Sequence, residues 1–178
     1  MKKLNLGCGM TCKKGWINLD KHKLPGVDIV HDLNKFPYPF KENEFDFVHA
    51  SMILEHLEDC IKVMEEIHRI MRNKGVLRIH VPFFPSMYSV IDPTHKSFFT
   101  YLTFDYFTPK HGLNYYSKAR FRIKRKKIVF SWNRFLNLFS FFINLFPVFY
   151  SRYLSFIFPS NELFVEMEAI KIKNETKK

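Results

Sequence analysis

Between residues 45 and 81 the chain reads strand, helix, strand, and few patterns restrict a fold more tightly. Residues 45–50 and 76–81 are short apolar runs bounded by acidic and turn residues, as strands are. Across residues 57–72, Ile61, Met64, Ile67, His68 and Met71 recur at spacings of three and four, which places them on one face of a helix. Asn73, Lys74 and Gly75 supply its stop signal. Two strands joined by a helix of that length lie parallel in one sheet, with a right-handed crossover. The fold class is therefore α/β.

Further strands fit the same sheet. Residues 4–6 form an apolar run that stops at Gly7-Cys8-Gly9, and residues 16–19 and 28–31 read as two more strands. Residues 9–15 are too few for a helical crossover, so the first helix is expected to shrink to a turn or vanish. Past Pro82 the pattern loosens through Pro85, Pro93 and Pro109, as a lid or substrate region does. Residues 121–130 alternate apolar with basic, and residues 163–172 alternate similarly, so the two are expected to pair as antiparallel C-terminal strands. Between them residues 135–158 are almost entirely apolar and aromatic. The 178 residues suit one domain. Its expected parts are a cofactor-binding half (1–82), a substrate or lid region (83–119), and C-terminal strands (120–178) carrying a Phe-rich helical insertion (134–158).

Charge and cysteine content narrow the partners. The 28 Lys and Arg against 17 Asp and Glu leave a net charge of +11, which attracts polyanions of several kinds. Much of the excess lies in residues 118–127 and in Lys177 and Lys178, where a solvated strand and a frayed end are the simpler explanation. Cys8, Cys12 and Cys60 form no CxxC pair, so neither a disulfide framework nor a four-ligand zinc site follows, and no metal is expected. Residues 1–7 run into a strand after two lysines, too short for a signal peptide, which makes the cytoplasm the expected compartment.

Gly7 and Gly9 let a strand end turn sharply and let backbone approach a ligand. The dinucleotide fingerprint GxGxxG needs glycine where this chain has Cys12, and no GxxxxGK[ST] is present. Acids follow in order: Asp20 ends the second strand, Asp32 follows the third, and Asp46 opens the fourth. A carboxylate at the tip of strand two can accept both hydroxyls of a ribose, although an acid there can also simply cap a turn.

The segments Leu4-Asn5-Leu6-Gly7-Cys8-Gly9, Gly15-Trp16-Ile17-Asn18-Leu19-Asp20 and Phe45-Asp46-Phe47-Val48-His49-Ala50-Ser51, with Leu54-Glu55-His56-Leu57, together resemble the class I S-adenosylmethionine-dependent methyltransferases, of the type 11 kind. The resemblance covers about residues 2–82 and implies a Rossmann-like, mostly parallel sheet with S-adenosylmethionine as cofactor. It implies that Gly7 and Gly9 lie under the methionine part, that Asp20 holds the ribose, that Asp32 and Leu33 meet the adenine, and that Ala50 and Ser51 line the pocket. His56 would shape the same pocket. Asn5 stands where the family usually has an acid, and Thr11 where a third glycine is common.

Methyl transfer needs alignment, and a base only when the acceptor keeps its proton. His95, just past the last parallel strand, is the candidate base, with Asp92 to orient it; a loop histidine bonded to backbone is the plainer alternative. Members of this fold that methylate base amines resemble one another in an Asn/Asp-Pro-Pro-aromatic motif at strand four, where this chain has Ala50-Ser51-Met52. Residues 135–151 carry no charge and are flanked by Arg134 and Arg152, which suits an interfacial helix on an anionic membrane; packing on the sheet or in a homodimer interface is the alternative. The expectation is O-methylation of a sugar or lipid-linked cell-surface glycan intermediate, with peripheral contact at the inner membrane face. Two alternatives stand beside it. One is a methyltransferase directed at RNA through the basic strand, although no appended RNA-binding module is visible, and the other is a non-catalytic cofactor-binding or membrane scaffold protein.

Overall fold

The computed structural model describes residues 1–171; Ile172, assigned above to the last strand, and Lys177 and Lys178 lie outside the described residues. Seven strands form one sheet: β1 (Lys3–Leu6), β2 (Ile17–Asp20), β3 (Ile29–Val30), β4 (Phe45–Ser51), β5 (Met71–Pro82), β6 (Phe121–Val129) and β7 (Glu162–Ala169). Their order is β3-β2-β1-β4-β5-β7-β6. The first five are mutually parallel, and β7 runs antiparallel to both β5 and β6. Both expectations, the parallel N-terminal sheet and the antiparallel C-terminal pair, hold.

One crossover helix is regular, and its ends differ from the periodicity. Helix α1 spans Cys60–Ile70, not residues 57–72. It starts late because the Asp59 carboxylate accepts the Lys62 N–H at 3.0 Å and caps it, leaving Leu54–His56 as a separate turn. It ends early because Met71 turns extended and pairs with Phe45, so residues 72–75 become an irregularity within β5. Val63, Met64, Ile67 and Ile70 bury its apolar face against Leu4, Leu6, Val48, Leu77 and Ile79.

As the short spacing requires, residues 7–16 form turns without a helix. Residues 31–44 likewise cross without one, and polar ties to α1 hold them. Arg69 donates to the Phe40 and Tyr38 carbonyls at 2.9 and 3.1 Å, while Glu66 accepts the Tyr38 N–H at 2.8 Å. Residues 83–119 hold only short helical turns, Met87–Val90, Thr103–Phe107 and Asn114–Tyr116, yet Phe83, Phe99, Phe104 and Phe107 are buried, which anchors this region in the core. In β4 and β5 buried residues alternate with half-buried ones, because α1 covers only one face of the sheet.

Candidate functional site

Strand ends β1, β2 and β4 open on one side into a cleft of about 740 Å³, lined by Gly7, Asp20, His22, Asp32, Leu33, Ile53, His56 and Thr94 among others. Gly7 has φ +62°, and a β-carbon there would stand 2.3 Å from Cγ1 of Ile53. Only glycine lets this turn pass beneath the cleft. The Asp20 carboxylate accepts the Gly9 N–H at 2.8 Å and the His22 N–H at 2.9 Å. Two of its roughly four lone-pair positions are thus used to fix the turn, and the rest remain for ligand hydroxyls.

Asp32 accepts the Asn34 N–H at 3.0 Å in a local turn, and the Leu33 carbonyl accepts the Tyr38 hydroxyl at 3.1 Å, so the α1-tethered crossover sets this wall. Asn5, buried below the turn, donates to the Thr11 carbonyl at 3.0 Å and to the Asn18 side chain at 3.2 Å. Its amide thus closes the shortened first crossover. Of the cofactor residues expected from the sequence, Gly7, Asp20, Asp32, Leu33 and His56 line the cleft. Gly9 contributes its N–H to Asp20, Ala50 is fully buried in the core, and Ser51 lies at the end of β4 outside the lining. Sequence reasoning missed Ile53, Asn34, Lys35, Glu58 and Lys96. Their only signal is proximity to the strand ends.

His56 also belongs to a second, smaller cavity of about 250 Å³, lined by Met52, Glu55, Pro82, Tyr88, Ile91, Asp92, His95, Trp132 and Asn161. The two cavities share this one wall. His95 Nδ1 donates to the Ser89 carbonyl at 3.0 Å, so a backbone carbonyl, rather than Asp92, orients the ring. The Asp92 carboxylate instead accepts the Thr94 hydroxyl at 2.7 Å, and that hydroxyl oxygen accepts from His56 Nδ1 at 2.8 Å. Thr94 also holds the Asp92 carboxyl below the ordinary carboxylate range. The His56 and His95 rings stand edge to face at 4.7 Å. Burial, then the neighbouring His95, lowers the pKa of His56. Glu55, 1% exposed, has its carboxyl raised by burial to about 7.

The family match falls on the part of the chain that builds the cleft, and the structural matches run over nearly all of it. Residues 4–79 match the methyltransferase domain family. A S-adenosylmethionine-dependent methyltransferase from Archaeoglobus fulgidus superposes with a TM-score of 0.60 at 18% identity, over 94% of this chain and 85% of that one. One from Mesorhizobium loti gives 0.58 at 14% identity, over 94% and 90%. A Haloferax volcanii chain solved with the Trm112 methyltransferase activator gives 0.57 at 14%, over 96% and 83%. No curated protein matches the chain. At these identities the solved structures show the shared fold, and the family match adds the glycine turn and Asp20 within one matched segment. The chain thus carries a methyltransferase-domain match over residues 4–79 and has the fold of solved S-adenosylmethionine-dependent methyltransferases.

Proposed function

We propose that this methyltransferase transfers its methyl group to a hydroxyl oxygen of a sugar or lipid-linked glycan intermediate, presented at the cytoplasmic face of a membrane. One observation carries the reading. Trp132 and Asn161, which bracket the aromatic segment, are both walls of the small cavity that holds His95. An acceptor resting against that segment reaches the cavity without leaving it.

The segment is built to face outward. Helix α2 (Phe139–Leu145) turns its polar residues to the sheet: Asn144 exchanges two hydrogen bonds with the Ile128 backbone at 2.7 and 2.9 Å, and Ser140 accepts the Phe130 N–H at 2.8 Å. These bonds cover the edge of β6. The aromatic residues consequently point away, with Phe146 71% and Phe156 73% exposed. No helix among the described residues is long and apolar enough to cross a membrane, so contact through this segment would be peripheral.

In this reading residues 1–82 hold the cofactor, residues 83–119 roof the acceptor, and the whole chain acts as one domain. S-adenosylmethionine supplies an electrophilic methyl on a sulfonium. Asp20 would take its ribose hydroxyls, Asp32 and Leu33 its adenine, and Gly7 and Gly9 the backbone around its methionine part, whereas Ala50 and Ser51 stand outside the cleft lining. Both His56 and His95 use Nδ1 as donor, which leaves each Nε2 lone pair free toward the acceptor side. His95 is the group proposed to take the acceptor proton.

A second reading, an RNA acceptor, draws on the uncovered face of the sheet. There Lys3 and Lys13 lie 5.4 and 5.6 Å from Trp16, and Arg78 lies 5.1 Å from Phe47. Cations interleaved with aromatic rings suit single-stranded nucleic acid.

Calorimetry with S-adenosylmethionine, followed by labelled methyl transfer to lipid-linked glycan and to RNA, tests both. Asp20→Ala is expected to weaken cofactor binding about 10- to 100-fold, the value of hydrogen bonds to a charged group. Label in the glycan fraction is the expected outcome. Label in RNA, lost steeply with salt, would transfer the assignment to the second reading.

A further inference from the structure

We propose that Glu55, His56 and His95 form a binding site for a divalent ion of zinc's class, on the acceptor side of the cofactor cleft. The inference deepens the functional reading above and rests on it only for what the ion would hold.

One donor atom from each of the three side chains lies within 4.8 Å of the others. Donors around an ion bonded at about 2.1 Å stand about 3.4 Å apart in a tetrahedron, so small side-chain rotations close the set. The hydrogen bonds already prepare both imidazoles. His95 Nδ1 donates to the Ser89 carbonyl, and His56 Nδ1 donates to Thr94, whose own hydroxyl proton goes to Asp92. Each ring is held through one nitrogen with the other left as a lone pair, the arrangement that orients metal-bound histidines. Asp92, one hydroxyl behind His56, supplies the outer negative charge.

Glu55 provides the independent observation. It is 1% exposed, and its Oε2 has no hydrogen-bond partner among the described residues. A buried carboxylate oxygen left without a partner is costly, and a cation supplies what the protein does not. The two halves of the site are also tied together without any ion. The Glu55 carbonyl accepts the Lys96 and Ser97 N–H groups at 2.7 and 3.1 Å, which pins the loop carrying His95 to the turn carrying Glu55 and His56. The Lys96 ammonium is drawn off to Glu58 at 2.7 Å.

Two imidazoles and one carboxylate select zinc, iron, cobalt or manganese over magnesium or calcium, which prefer oxygen ligands throughout. Three protein ligands leave coordination positions open. Those positions face the cavity of Met52, Tyr88, Trp132 and Asn161, where the acceptor oxygen would bind. With the ion in place the free His95 nitrogen is a ligand and no longer the proton acceptor of the functional reading; the ion would instead lower the proton affinity of the acceptor oxygen, whose proton would pass to solvent.

The test is a cobalt(II) titration of chelator-treated protein, followed by visible absorption. One equivalent is expected to bind with bands of nitrogen and oxygen ligation. Glu55→Gln and His95→Ala should each weaken binding at least about 100-fold, Thr94→Val about 10-fold, and His111→Ala not at all. S-adenosylmethionine binding in the neighbouring cleft reports that each variant is folded; should Glu55→Gln fail it, His95→Ala on the loop decides. Absence of binding in the native protein, or binding undiminished in His95→Ala, overturns the site. So does a thiolate charge-transfer band that survives these variants, which would place the ion at Cys8 and Cys12, whose sulfurs are 3.6 Å apart. Methyl transfer to glycan that persists at full rate without bound metal overturns the ion's role at the acceptor oxygen and leaves the acceptor reading standing. Metal bound with no transfer to glycan does the reverse.

Discussion

His49, on the half-buried face of β4, shows what a single side chain contributes. Burial, then the positive charges of Lys13, His80 and Arg78, lowers its pKa from 6.5 to about 4, and its Nδ1 has no partner among the described residues. The folded protein therefore resists binding a proton that the unfolded chain accepts readily. Stability is full above pH 6.5, falls as pH drops from 6.5 toward 4, and changes no further below that window through this group. The loss is expected on the order of 1 to 2 kcal/mol, discounted for partial exposure. Denaturant melts of the native protein and His49→Phe across that range check it, because the variant should lack this part of the pH slope. The strand-end positions of Asp20 and Gly7 beside the cleft were legible at this scale, since each closes a short apolar run. Glu55 was not. On the sequence it is one more acid beside a helix start, and only the packing of residues 83–119 over it makes it a buried carboxylate.

At the scale of elements, α1 does two jobs. Its apolar face fills the core beneath the sheet, and its polar end, through Glu66 and Arg69, holds the helix-free crossover that carries Asp32 and Leu33. Arg69 also pairs with Glu66 at 2.7 Å. Removing the guanidinium leaves a largely buried carboxylate unpaired and two carbonyls without donors. Arg69→Met is therefore expected to cost about 2 to 4 kcal/mol in thermal or denaturant unfolding and to weaken S-adenosylmethionine binding as the 31–44 crossover loosens. Native-like cofactor affinity in a folded Arg69→Met protein would refute this coupling. The existence of α1 was legible from spacings of three and four, because one buried helical face demands them. Its limits were not, since the Asp59 cap and the pairing of Met71 with Phe45 depend on the side-chain geometry and on the strand next door.

The whole molecule has one sheet face covered by α1 and a second left partly open, together with an aromatic segment whose polar residues point inward. If that segment meets lipid, the native protein sediments with anionic vesicles, and Phe141→Ser with Phe142→Ser lowers the bound fraction at least tenfold, since burying one such ring contributes roughly 1.5 to 3 kcal/mol. Equal sedimentation of both proteins would remove the membrane from the functional reading. The sequence by itself determined the α/β class, the parallel direction of the first strands, the antiparallel C-terminal pair and the glycine turn and acid at the ends of the first two strands. Those features are written in local periodicity and in glycine and acid positions, where neighbouring residues impose the geometry. Only the tertiary structure decided that residues from the end of β4 and from the loop near residue 95 meet around one small cavity, and that Asn144 and Ser140 turn the aromatic rings outward. Both depend on contacts between segments far apart in the chain, which no local pattern encodes.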